Sequence, residues 1–375
     1  MRIPFITEPG YSSASIWCAE TRTGIEDAMA KKKYSPVNID GAAYQRFDYN
    51  SLFDGDAPRM VVLIGTSPSW VPRALDFLSS RGIDVILVSY QPPENAPVRG
   101  VVRIDYVSGV WTLLRHLTGC GCNRTALYGC FGNSSADLIK RRSFNEYARP
   151  HGECCFDNHA GLAACYDAFR SHVREFDSVL CANDIAAASL INRLRRDGIT
   201  VPEQLQVVCF GSSEISRLYR PSITALTLSN GELGRQTVSI FSYLTKADRS
   251  VNVSVRVGGS LIVRDSTRPC ADAVPCPVQP SVHTAASSFY EDDEVKAFTM
   301  LENILTACDS TDRAILRSLL GDATGEAIAE ALSLAPETVR YRIRRLLQAT
   351  GLKSRGDLLD YIRNNSFGEV FRERL

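Results

Sequence analysis

The chain has no net charge to work with: its 42 basic side chains are matched by 42 acidic ones. That excludes binding of polyanions by bulk charge, but a basic patch in one segment would be hidden by the average. No run of 18 apolar residues occurs, so no membrane-spanning helix is expected. The apolar stretch behind Met1–Arg2 is too short and broken for a signal peptide, and the expectation is a soluble, cytoplasmic protein with no membrane partner. Histidine is scarce, at five residues without metal spacing. A Gly-rich phosphate loop ending in Lys-Ser/Thr, an H-E-x-x-H and a G-x-S-x-G are all missing. These gaps point away from an enzyme, and neither cofactor nor metal is expected.

What the sequence does have is core. Hydrophobic residues make up 45 % of the 375 and charged residues 22 %, enough for two or three folded domains. Twelve cysteines are scattered through the chain, and Cys165, Cys181 and Cys209 read as small buried hydrophobes. Cys120, Cys122 and Cys130 near His116 invite a zinc site, but C-x-C is not the usual C-x₂₋₄-C knuckle. Unliganded thiols are the better reading.

Up to about residue 265, short β-branched runs alternate with amphipathic helical runs. Ile3 to Ile6, Met60 to Ile64, Val85 to Val88, a strand ending at Ile104, Thr125 to Tyr128, Val179 to Ala182 and Gln206 to Phe210 are apolar on both faces. Such strands belong to parallel sheets covered on both sides by helices. The fold class is therefore α/β: two doubly wound parallel sheets in series, with a ligand cleft between the carboxyl ends of their strands. An all-α unit follows. Crossovers are expected near 119–123, 228–232 and 250–254. Lobe one is then 1–121 plus 231–252, and lobe two 122–230 plus 253–265.

Residues 266–295 read as a linker, with prolines, Ser, Thr and Ala and then the acidic run Glu291 to Glu294. Phe298, Leu301, Ile304 and Leu305 recur at helical spacing, on a helix that either pairs with a partner or caps the last domain. In the 296–375 domain Ile315, Leu316 and Leu319 mark one short helix, and Thr324 caps the next. Pro336 and Glu337 open a third, whose stripe is Val339, Ile343, Leu346 and Leu347. Arg340, Arg342, Arg344 and Arg345 lie outside that stripe, with no acid between Thr338 and Leu347 to offset them. Short helix, tight turn and arginine-rich helix make a helix-turn-helix, and double-stranded DNA is the expected partner. Thr338 and Arg340 should approach base edges, Arg344 and Arg345 the backbone, with Tyr341 and Arg342 on the flanks.

Several ordered segments carry a resemblance. Cys181-Ala182-Asn183-Asp184-Ile185-Ala186-Ala187, Leu194 to Glu203, Val207 to Gly211, Pro221 to Leu226 and Leu261 to Thr267 resemble, in sequence, motifs of the lac/gal repressor effector-binding core, itself similar to periplasmic sugar-binding proteins. That family reads DNA with an amino-terminal helix-turn-helix. Here residues 311–362 instead resemble the DNA-binding domain of LuxR-type regulators, through Ala327 to Leu334, Glu337-Thr338-Val339-Arg340 and Gly351 to Arg355. Val339 to Arg345 also resembles the helix of PucR-type activators. The resemblance implies a ligand-responsive transcriptional regulator with sensor and reader in reversed order, without saying whether it activates or represses.

It also implies an effector site. Asp105, Lys140, Asn183 and Asp184 match ligand-contacting positions, and Tyr11, Trp17 and Trp70 could supply an apolar wall. Two departures matter. Lysine replaces the family's arginine at Lys140, and Cys209-Phe210-Gly211 lacks the aspartate of Gly-Phe-Asp, so a planar fork and a two-oxygen acceptor are lost. A sugar, a sugar phosphate or an organic acid are all open, as is a pocket that binds nothing. A homodimer is expected, since paired readers double the contact with a two-fold operator. The alternative is a solute-binding protein or sensor whose helical tail docks a protein rather than DNA.

Overall fold

The computed structural model describes residues 2–9, 16–39, 58–67, 69–89, 98–132, 134–148, 154–269 and 293–364. The chain opens with β1 (Arg2–Thr7), α1 (Ile16–Lys32), β2 (Ser35–Ile39), β3 (Met60–Ile64), α2 (Val71–Ser79), β4 (Asp84–Val88) and β5 (Gly100–Ile104). Then come α3 (Tyr106–Gly119), β6 (Thr125–Cys130), α4 (Ser135–Ala148), β7 (Cys155–Asp157), α5 (Leu162–Arg170) and β8 (Ser178–Cys181). These lead to α6 (Asp184–Arg196), β9 (Gln206–Phe210), α7 (Glu214–Leu218), β10 (Thr224–Leu226), α8 (Asn230–Leu244), β11 (Val253–Val257) and β12 (Leu261–Ile262). The last helices are α9 (Asp293–Ala307), α10 (Ser310–Leu320), α11 (Gly325–Ala331), α12 (Pro336–Thr350) and α13 (Arg355–Asn364).

The continuous apolar strands lie where both faces can be covered. One six-stranded sheet has the order β11-β5-β4-β3-β1-β2, the other β12-β10-β9-β8-β6-β7. In the first, Val61, Leu63, Val85 and Leu87 pack towards α2, while Met60, Val62, Ile86 and Val102 face the side that carries α1 and α8. α1 and α8 meet backbone to backbone: a Cβ on Gly24 would sit 1.9 Å from the Gly231 carbonyl oxygen, and one on Gly234 2.1 Å from that of Thr21. Only glycine allows that approach.

Two lobe boundaries differ from the sequence reading. α3 was expected to end the first lobe, but it packs on α4 and the second sheet, so the chain crosses at Asp105 rather than near 119–123. The alternating stretch 254–263 was expected as one edge strand of the second lobe. Gly258 and Gly259 divide it: β11 pairs in parallel with β5, from Val253↔Gly100 to Val257↔Ile104, and only β12 joins the second sheet, antiparallel to β10. The three crossings lie side by side. Asp105 N–H donates to Val257 O (2.9 Å), Thr227 N–H to Ser260 O (2.8 Å) and Ser260 N–H to Thr227 Oγ1 (3.0 Å). A Cβ on Gly259 would stand 2.0 Å from Thr227 O.

The expected linker also shortens at both ends. Ser266 is buried in the second lobe, where its hydroxyl donates to Val207 O (2.5 Å) and accepts from Thr224 N–H (2.8 Å). At the other end α9 already begins at Asp293. Its apolar face, with Val295, Phe298, Leu301 and Leu305, continues the core of the second lobe into the helical unit. α9 packs on both α7 and α12. No described helix is long and apolar enough to cross a membrane.

Candidate functional site

On the first-lobe side of the cleft, Glu8 follows β1 and its Oε2 accepts from Thr66 N–H (2.8 Å) and Ser67 N–H (3.1 Å) at the end of β3. Trp70 stands beside this turn, its backbone N–H donating to Ser67 Oγ (3.2 Å) and its ring lying against Gly65. Trp70 is half-buried at the rim, whereas Trp17 is a buried member of the lobe core. Tyr11 lies outside the described residues. Asp105 caps α3: it accepts from Ser108 N–H (3.2 Å) and Ser108 Oγ (2.9 Å), with the Arg256 guanidinium 3.9 Å away.

On the second-lobe side, Lys140 is an internal strut. Its ammonium holds Asp137 Oδ1 at 2.7 Å and Ala182 O at 2.7 Å, which takes two of its three donors. It also lies 4.9 Å from the Tyr106 ring centroid and 5.0 Å from that of Phe210, two rings in edge contact that join α3 to β9. Asn183 caps α6 by accepting from Ala186 N–H (2.8 Å). Asp184 Oδ2 accepts from Ser213 N–H (3.0 Å), and burial pushes its carboxyl above the usual carboxylate range. Gly211, at φ +87°, faces that carboxylate, and a Cβ there would sit 3.3 Å from Asp184 Cγ. Arg264 ties the neighbouring loop to the sheet through Ser212 Oγ (2.7 Å) and Ile223 O (2.6 Å).

Asp105, Asn183, Asp184 and the Lys140 strut thus lie at the carboxyl ends of strands or on the helices that follow them. Glu8, Ser67, Ser212 and Arg264, which the sequence reading did not single out, lie in the loops beside these positions. For Glu8, its place just after a buried strand was a usable signal. Near His116, the imidazole Nε2 lies 3.0 Å from Thr267 Oγ1, and Cys120 Sγ donates to Arg268 O (3.2 Å). No group of three His, Cys, Asp or Glu among the described residues is placed to hold a metal ion.

In the helical unit a capping box starts α10: Asp309 Oδ1 accepts from Asp312 N–H (2.9 Å) and Asp312 Oδ2 from Asp309 N–H (3.0 Å). Thr324 Oγ1 accepts from Ala327 N–H (3.2 Å) at the start of α11. A four-residue turn with Ser333 at φ +53° leads to Pro336 and α12. Val339 and Leu346 are fully buried, and Ile343 and Leu347 half-buried, which fixes the rotation of α12. Arg340, Tyr341 and Arg344 are exposed, Tyr341 at 63 %, and Thr338 is half-buried. Arg340 pairs with Glu337 one turn back.

The other two arginines are engaged differently from the expectation. Arg342 holds Asp309 (2.7 Å) and Asp312 (2.9 Å), and Arg345, expected outward, pairs with the wholly buried Asp312. Arg342 in turn holds the Asp309 carboxyl down to about 2. Half of the like-charge run that looked uncompensated along the sequence, Arg342 and Arg345, is thus met by acids some thirty residues upstream. Arg344 pairs with no acid among the described residues.

Residues 114–267 match the model of the periplasmic binding protein-like domain. The chain is 24 % identical over 180 residues to the HTH-type transcriptional regulator GalR of Streptococcus thermophilus, covering 44 % of this chain and 54 % of that one. It is 24 % identical over 208 residues to the HTH-type transcriptional repressor PurR of Haemophilus influenzae, covering 52 % and 61 %. The chain thus spans little more than half the length of these relatives. Among solved structures, the LacI family transcriptional regulator CCPA from Weissella paramesenteroides with bound glucose aligns with a TM-score of 0.55 at 18 % identity, over 71 % of this chain and 98 % of that one. The transcriptional regulator CelR–cellobiose complex gives 0.57 at 19 %, over 71 % and 84 %. The body ahead of the helical unit therefore has the two-lobed, periplasmic-binding-protein-like fold that LacI family regulators carry.

Proposed function

We propose that this chain is a ligand-responsive transcriptional regulator in which the two-lobed body senses a small polar metabolite and α12 reads duplex DNA. The observation that carries the reading is the rotation of α12. Burial of Val339 and Leu346 leaves Arg340, Tyr341 and Arg344 on one open face behind a short helix and a four-residue turn. The LuxR-like segments of 311–362 support the same assignment, and the relatives named above are themselves regulators. Arg340 and Thr338 are the base-reading candidates and Arg344 the phosphate contact, while Arg342 and Arg345 orient the helix through Asp309 and Asp312.

For the effector, the cleft chemistry favours a neutral polyol such as a sugar over a sugar phosphate or organic acid, because the Lys140 ammonium is committed to Asp137 and Ala182. Asp105, Asn183 and Asp184 would take hydroxyls, with Trp70 as the apolar wall. The solved relatives bound to glucose and cellobiose point the same way. A cytoplasmic homodimer fits the two-fold symmetry of operators. The test is anisotropy of labelled genomic duplex fragments with the full chain across a salt series, with and without a panel of sugars. If a stable R340A/R344A protein binds the selected duplex as tightly as the unaltered chain, α12 is not the reader.

A further inference from the structure

The reader unit does not hang from the sensor on a free tether, because α9 is seated on the second lobe. Its Glu302, 9 % exposed, accepts from the backbone N–H groups of Glu214 (2.9 Å) and Ile215 (3.1 Å). The residue before them, Ser213, gives its own N–H to the carboxylate of Asp184, proposed above as an effector contact. Three successive amides, 213 to 215, are thus divided between an acid of the cleft and an acid of the reader unit. The surroundings make the joint stiff. Glu294 at the head of α9 accepts from Ser189 Oγ (2.9 Å) and pairs with Arg193, both on α6, and Arg313 of α10 lies 3.4 Å from Glu214. Burial pushes the Glu302 carboxyl up to about 6, and Asp184 and Glu214 add to the rise. From Glu302, α9 leads directly to its packing against α12.

Resting on the regulator reading above, we propose that Glu302 is the positioning residue that couples the effector cleft to the reader helix, with the 213–215 turn as the shared joint. An effector hydroxyl that engages Asp184 competes with Ser213 for its oxygens. Release of Ser213 shifts the turn, and Glu302 carries that shift into α9 and α12. Because the joint lies in the second lobe, the reader follows that lobe's half of the cleft. Coupling of this kind is a free energy shared by two sites and is measurable from either one.

The test is hydrogen exchange on the full chain without ligand or DNA, comparing D184N, E302Q, their double variant, and S213A as a second perturbation of the joint. D184N should speed exchange of the α12 amides at least about fivefold, the lower end of typical coupling, although among the described residues Asp184 forms no hydrogen bond or ion pair with the helical unit. In the E302Q background the same change should have less than half that effect. A merely structural Glu302 would give additive effects, and additivity overturns the proposal. So does a D184N or S213A response confined to residues 211–218. Since no duplex enters the measurement, a chain that shows the coupling yet binds no DNA would sink the transcription reading and leave this one standing.

Discussion

Asp312 is the residue that holds α12 in place, and replacing it with alanine should be costly. Its side chain is wholly buried and accepts from Asp309 N–H, Arg342 and Arg345. Losing the cap acceptor costs about 1 kcal/mol. Each hydrogen bond to a charged group is worth about 1.5–3 kcal/mol in a buried setting. Both must be discounted, because Arg342 keeps Asp309 and the Arg345 side chain is 42 % exposed. A net loss of about 3 kcal/mol follows, a little over two decades in protection at about 1.4 kcal/mol per decade. The chain has more than one folding unit, so a single unfolding midpoint is a poor reporter. Hydrogen exchange at the α12 amides reads the helical unit directly. D312A should lower their protection about a hundredfold, and D312N, which keeps an acceptor for the cap, should fall in between. Protection within threefold of the unaltered chain would refute the clamp and return Arg342 and Arg345 to the list of free DNA contacts.

Lys140→Met should destabilise the second lobe by about 3–5 kcal/mol in urea titrations, because it strands the buried Asp137 carboxylate; normal stability with loss of an anionic ligand would restore Lys140 as a binding group. Between the ordinary glutamate value near 4.3 and about 6, the folded chain holds a proton on Glu302 that the unfolded chain has released. That stability is present in full below the window and is lost as pH rises through about 6. Hydrogen exchange at the α9 amides, taken relative to intrinsic rates from pH 7.5 to 5, should therefore show the unaltered chain gaining about 1.3 kcal/mol on E302Q, and parallel curves would count against the assignment. Ser333→Gly should stabilise the helical unit by about 0.5–1 kcal/mol by relieving φ +53°, while Gly351→Ala, at φ +70°, should cost about 1 kcal/mol, both read by exchange in α12. On any bound duplex R344A should reduce the salt slope by about one unit, and R345A by clearly less.

The strands were legible because a buried parallel strand is apolar on both faces, as in Met60 to Ile64. The short β7 and the five-residue α7 were not, since neither is long enough to show a period. Alternation from Ser254 to Val263 misled because period two is preserved across Gly258–Gly259 even though the chain changes sheets there. At the site, capping positions such as Asn183 and Thr324 could be read locally. The Asp137–Lys140 pair, three residues apart on α4, was open to the same local reading, but the hold of Lys140 on Ala182 and of Arg345 on Asp312 was not, because those partners come from distant segments that sequence spacing does not bring together.

The three crossings bolted together at Asp105–Val257 and Thr227–Ser260 have a mechanical consequence. Because they share hydrogen bonds and one glycine-thin contact, they act as a single hinge pin along one edge of the body. The two sheets can swing about that pin but cannot slide apart or twist independently without tearing main-chain bonds. Displacement is then smallest beside Asp105 and grows with distance from the pin, so the far rim of the cleft travels most. A guest of the proposed kind near Asp105 would work on a short lever arm: a small change in its size would become a wide change in the aperture. The molecule would thus grade guests by thickness at the pin.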